Sequence, residues 1–114
     1  MANGEPTKKV SVELLCLSLL QEKDMYGYEM IETLRSRSEN VFELKAGSLY
    51  PLLHTLEANN LVTAYEDDAS GKTRKYYHIT REGRRILKEK KEEWNTYAAA
   101  VTNVLSCRGA EACV

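Results

Sequence analysis

Behind Thr80 the chain carries one unbroken helical pattern of about 26 residues, ending near Ser106, roughly twice the length of an average globular helix. Thr80 is a natural N-cap, and Glu82 in the first turn suits the positive end of the helix dipole. The apolar positions of this segment include Leu87, Trp94, Tyr97, Ala98, Val101, Val104 and Leu105. From Trp94 onward they approximate a heptad seam. The preceding residues can close a core of their own, so the seam is expected to meet a second copy of the chain. Leu87, Trp94, Val101, Val104 and Leu105 are the expected contacts, with packing on its own domain as the alternative.

Three shorter helices precede it. Residues Val10 to Glu22 include Leu14, Leu15, Cys16, Leu17, Leu19 and Leu20, apolar around most of the circumference and therefore buried on more than one side. A second helix is predicted from about Tyr26 to Ser36, on the spacing of Tyr26, Met30 and Leu34. Gly27 near its start lets another backbone come close. A polar linker follows, from Ser38 to about Glu43. The third helix covers roughly Ala46 to Asn59, where Leu49, Leu52, Leu53 and Leu56 form an i, i+3, i+4, i+7 stripe. Pro51 belongs near its first turn. Either Ser48 is the N-cap, or the helix starts at Ala46 and tolerates a distorted turn.

Next come two β-forming runs, Leu61 to Glu66 and Thr73 to Ile79, around the turn chemistry of Asp67 to Gly71. They read as a hairpin. In the second run Arg74, Tyr76 and His78 share one face, while Lys75, Tyr77 and Ile79 share the other, the expected core side. Three helices, a hairpin and a long helix is the order of a winged helix-turn-helix. The expected fold is therefore α+β and mainly α, with a two-stranded β wing. Residues 1–80 form the winged domain, 81–106 the dimerisation helix and 107–114 a flexible tail.

Charge is informative by its placement. The net charge is −1, yet Lys72, Arg74, Lys75, Arg81, Arg84, Arg85, Lys88, Lys90 and Lys91 crowd one stretch that holds only Glu82 and Glu89 as acids. A solvated helix face explains part of this run, and less readily the cations on the strand. In a winged helix the outward face of the third helix is free to enter a major groove, and a basic hairpin suits phosphates or the minor groove.

Other classes recede. Three cysteines are too few for a disulfide scaffold and form no CxxC pair; Cys16 reads as a small buried hydrophobe, Cys107 and Cys113 as part of the tail. The apolar run Leu14 to Leu20 is far shorter than a membrane span, and the polar start lacks a signal-peptide pattern. A cytoplasmic protein is expected. His54 and His78 have no evident catalytic partners, and no phosphate loop or metal cluster stands out, so neither an enzyme nor a cofactor is expected.

Three segments resemble the PadR family of bacterial transcriptional regulators. They are Tyr26-Gly27-Tyr28-Glu29-Met30, Gly47-Ser48-Leu49-Tyr50-Pro51-Leu52-Leu53 with Leu56-Glu57, and Gly71 to Thr80 with Gly83. They lie in the family's order and spacing over about residues 12 to 90. The resemblance implies a homodimer that binds double-stranded DNA at an inverted-repeat operator and represses a nearby promoter. It also implies release by a small, frequently aromatic effector.

Carried over by position, the DNA face would comprise Ser48, Tyr50, Pro51 and His54 on the third helix. Tyr26 and Gly27 at the start of the second would join them, with Lys72, Arg74 and Lys75 on the wing. Trp94 matches a tryptophan that lines a pore between subunits in short relatives, where paired indoles can sandwich a flat ligand; Tyr97 and Ala98 would line the same place. The alternative for Trp94 is a buried dimer-core residue. The chain departs from the pattern at Lys45, where a capping residue is common, and in the acidic turn Asp67-Asp68-Ala69. A winged helix used only for protein–protein contact is the rival reading.

Overall fold

A computed structural model describes residues 10–68 and 71–106. The elements run α1 (Val12–Glu22), β1 (Met25–Tyr26), α2 (Gly27–Arg37), α3 (Ala46–Ala58), β2 (Val62–Asp67), β3 (Arg74–Ile79) and α4 (Arg81–Leu105). The expected tail at 107–114, with Cys107 and Cys113, lies outside the described residues, as does Ala69 of the wing turn.

Helix α1 is capped by Ser11, whose hydroxyl accepts from the Leu14 N–H at 3.0 Å. It buries Leu14, Cys16, Leu17, Leu19 and Leu20, positions that span more than one face. It therefore sits at the centre, in contact with α2, the sheet and α4. Burial, assisted by the nearby Glu13 carboxylate, pushes the Cys16 thiol up to about 12. The thiolate is thus suppressed and this cysteine acts as an inert hydrophobe. Met30 and Leu34 of α2 and Leu49, Leu53 and Leu56 of α3 close the same core.

The sheet has three antiparallel strands in the order β1-β3-β2, one more than the two-stranded wing expected from sequence. Met25 pairs with Tyr77 and Tyr26 with Tyr76. Met25 plunges into the core while Tyr26 stays half-buried on the outer face, so α2 begins one residue later, at Gly27. On the other edge Val62 faces Ile79 and Tyr65 faces Tyr76. Tyr77 and Ile79 point into the core, as the alternation predicts.

Between the two openings left by sequence, α3 takes the earlier start. The Ser48 and Leu49 amides both donate to the Lys45 carbonyl, each at 2.9 Å. Pro51 therefore lies inside the helix, where its missing N–H leaves the Gly47 carbonyl without the usual i+4 donor.

Thr80 caps α4 in both directions. Its hydroxyl accepts from the Gly83 N–H at 2.9 Å and donates to the Asn60 carbonyl at 2.7 Å. A Cβ at Gly83 would strike the Leu61 carbonyl, so the helix starts pressed against the entry to β2. Its first half then lies along α1, with Lys90 3.6 Å from Glu13. This corrects one expectation. Leu87 is fully buried within its own chain and has no surface left for a partner. Beyond Trp94 the helix outruns its domain: Val101 is 39% exposed, Val104 83% and Leu105 76%.

Candidate nucleic-acid interface

Among the described residues, two of the four helices start without a side-chain cap, and the first residue of one meets Tyr50 of the other. Ser11 and Thr80 cap α1 and α4, whereas Tyr26 before α2 and Lys45 before α3 make no capping hydrogen bond. The first amides of α2 and α3 thus lack side-chain acceptors. The two helices are keyed together at this end. A Cβ on Gly27 would collide with the Tyr50 ring and hydroxyl, so the glycine makes room for the phenol of α3. The sequence anticipated a close backbone approach here; the structure supplies a side chain.

The surface continues onto the sheet. The Arg74 guanidinium lies 4.5 Å above the Tyr26 ring, a cation–π contact. Tyr26 meets Tyr76 edge-on, with centroids 5.4 Å apart, and Tyr76 stacks on Tyr65 at 5.7 Å and 15°. At the far end Asp24 accepts a hydrogen bond from the Tyr65 hydroxyl at 2.6 Å and sits 2.9 Å from His78 Nδ1. Desolvation works to raise the Asp24 carboxyl, but the hydrogen bonds from Tyr65 and His78, with the positive charge of Arg84 on α4, outweigh it and hold it below the usual range. The same bond pushes the Tyr65 phenol up to about 12.

Of the residues expected at a DNA face, Tyr26, Gly27, Tyr50 and Arg74 come together. Ser48, Pro51 and His54 are exposed on α3, with His54 one turn beyond Tyr50. Lys75 is separated from Arg74 by the strand's alternation. It stands over the Tyr77 ring at 5.7 Å, on the side that faces α3. Lys72 is exposed in the turn beside Gly71, whose φ of +86° suits glycine. Four members of the outer face, Asp24, Tyr65, Tyr76 and His78, were not among the expected site residues. Strand alternation put Tyr76 beside Arg74, but only the β1–β3 register brings Asp24 to the sheet.

On α4, Trp94 is half-buried against the domain core, and its ring lies 5.9 Å from Tyr97 at 38°. Ala98 falls on the same face, one turn from Trp94. Next to them a shallow groove is lined by Glu89, Glu92, Glu93, Thr96, Tyr97 and Ala100. Among the described residues no cluster of His, Cys, Asp and Glu could hold a metal ion, and no helix is long and apolar enough to cross a membrane.

A winged helix-turn-helix with cations on its hairpin and an overlong final helix is the build of a small transcriptional regulator. Residues 16–89 match the transcriptional regulator PadR-like family, and the chain belongs to that family. It is 39% identical over 84 residues to an uncharacterized protein X of Lysinibacillus sphaericus, covering 73% of this chain and 77% of that one. Its fold is similar to a transcriptional regulator from Clostridium thermocellum, with a TM-score of 0.75 and 34% identity over 83% of this chain and 93% of that one. It is likewise similar to a PadR family transcription regulator from Clostridium difficile, with a TM-score of 0.71 and 36% identity over 83% and 98% of the two chains.

Proposed function

We propose that this transcriptional regulator works as a homodimeric repressor that grips an inverted-repeat operator with α3, the start of α2 and the wing. The observation that carries this reading is the meeting of two uncapped helix starts beside Tyr50, Tyr26 and Arg74. Backbone amides with no side-chain acceptor, next to phenols and a guanidinium, match the chemistry of a phosphate backbone. Ser48 and His54 on the open side of α3 supply groups for base edges, with Pro51 between them. Lys72 and Lys75 add charge along the wing. The bare distal seam of α4, Val101, Val104 and Leu105, supports pairing with a second copy. Trp94, Tyr97 and Ala98 are the candidates for a flat aromatic effector that shifts the dimer away from DNA.

Genomic footprinting of the purified protein, followed by gel shifts on the recovered sites, tests the reading. Tyr50→Ala and Arg74→Ala are each expected to weaken operator binding about tenfold with melting temperature little changed. Wild-type affinity should fall steeply with salt. Unchanged affinity in both variants defeats the assignment, and salt-independent association points instead to a protein partner.

A further inference from the structure

We propose that Asp24 is the positioning residue of the wing, acting through Tyr65 on the pair Tyr26–Arg74; the inference rests on the DNA-binding reading above. Asp24 precedes the two-residue strand β1, at the junction leaving α1. The register that pairs Met25 with Tyr77 sets Asp24 opposite His78 on β3. Its carboxylate then spans the sheet. One oxygen, Oδ1, lies 2.9 Å from His78 Nδ1 on the central strand, and the other, Oδ2, accepts from the Tyr65 hydroxyl on β2 at 2.6 Å. A strand of two residues contributes little ladder of its own, so these side-chain bonds add to the buried Met25–Tyr77 pair in tying the hairpin to the α1–α2 junction.

The grip is passed along a row of rings. Tyr65, held at its hydroxyl, stacks on Tyr76; Tyr76 supports the edge of Tyr26; Arg74 rests on the Tyr26 face. Each contact lies on the outer side of the sheet, away from the core, so the core alone does not fix these rotamers. Holding the Tyr65 phenol therefore orients the two residues at the other end, both assigned to the DNA backbone. Asp24 itself touches no DNA in this scheme.

Tyr65→Phe keeps the ring and removes only the hydroxyl that Asp24 holds, so it is the primary variant; Asp24→Asn is the second. Each is expected to weaken operator binding about three- to tenfold with thermal melting nearly unchanged. The slope of log affinity against log salt should drop by about one, because a wing phosphate contact is lost. A merely structural loss of folded protein would leave that slope alone. In an Arg74→Ala background either change should weaken binding less than in the wild type, the remainder passing through Tyr26. Equal affinity and slope in Tyr65→Phe and Asp24→Asn, beside a wild type that binds, overturn the role of Asp24. A wild type that binds no DNA overturns the DNA reading instead. Hydrogen exchange then judges the relay by itself: faster exchange at residues 62–67 and 74–79 in Tyr65→Phe supports it, and unchanged protection overturns it.

Discussion

The two halves of α4 share one helix and follow opposite rules. From Arg81 to Glu93 most residues are charged. Arg81, Arg84, Lys88 and Lys91 fall on one flank at helical spacing and Glu82, Glu89 and Glu93 on the other, with Arg85 and Glu92 at their solvent-side border. Arg85 bridges Glu82 and Glu89. Between the flanks Gly83 and Leu87 are buried under the chain's own domain. From Asn95 to Ser106 there is not one charged residue, yet Val104 and Leu105 lie open. The proximal half is finished, with water outside and α1 inside. The distal half has the composition of an interior without a cover. On the dimer reading proposed above, an overlong helix is two devices in series, a lid on one core and a seam for another.

The largest expected effect breaks the proximal half. Leu87→Ala should cost about 2–5 kcal/mol in urea unfolding, the loss typical of a leucine removed from a closed core. A loss below about 1 kcal/mol, outside the range for such sites, would mean that Leu87 does not belong to that core. Next comes the distal half. A double Val104→Asp, Leu105→Asp change should leave helix content and the domain's unfolding almost as they were, but raise the dimer dissociation constant at least about a hundredfold. Sedimentation would read this as a halved mass at micromolar protein. A wild type already monomeric there would erase the contrast between the halves. The smallest effect concerns their junction. Planar aromatic cations should quench Trp94 fluorescence, and the Val104/Leu105 double variant should need about tenfold more dye, since stacking between two indoles requires two chains. Equal titration curves would leave Trp94 a packing residue.

Much of this was legible beforehand because period and burial are local signals. The stripe Leu49, Leu53, Leu56 and the alternation at Tyr77 and Ile79 put the right side chains into the core. The caps at Ser11 and Thr80 flank helices that the pattern placed within two residues. What escaped was set by distant partners. Strand β1 is two residues long and exists because Tyr76 and Tyr77, fifty residues away, offer an edge. Asp24, just past the first helix, carries no signal of its own in the sequence; the β1–β3 register places it opposite His78. Leu87 looks like the first rung of the dimer seam because a heptad pattern cannot say which rungs the chain's own α1 covers. The start of α3 was ambiguous for a further reason: a proline six residues in normally argues against the earlier start, and here the amides of Ser48 and Leu49, both held by Lys45, outweigh it.

The missing methyl at Gly27 has a wider consequence. The Tyr50 phenol fills that notch, so an interlocking contact joins Met30, Leu34, Leu49 and Leu53 of the shared core in fixing the mutual tilt of α2 and α3. The bridge between Arg37 and Ala46 shows Val41 and Phe42 to solvent but sets Leu44 against the core. A side chain at position 27 would push the two helices apart at the end where Tyr26 and Tyr50 stand.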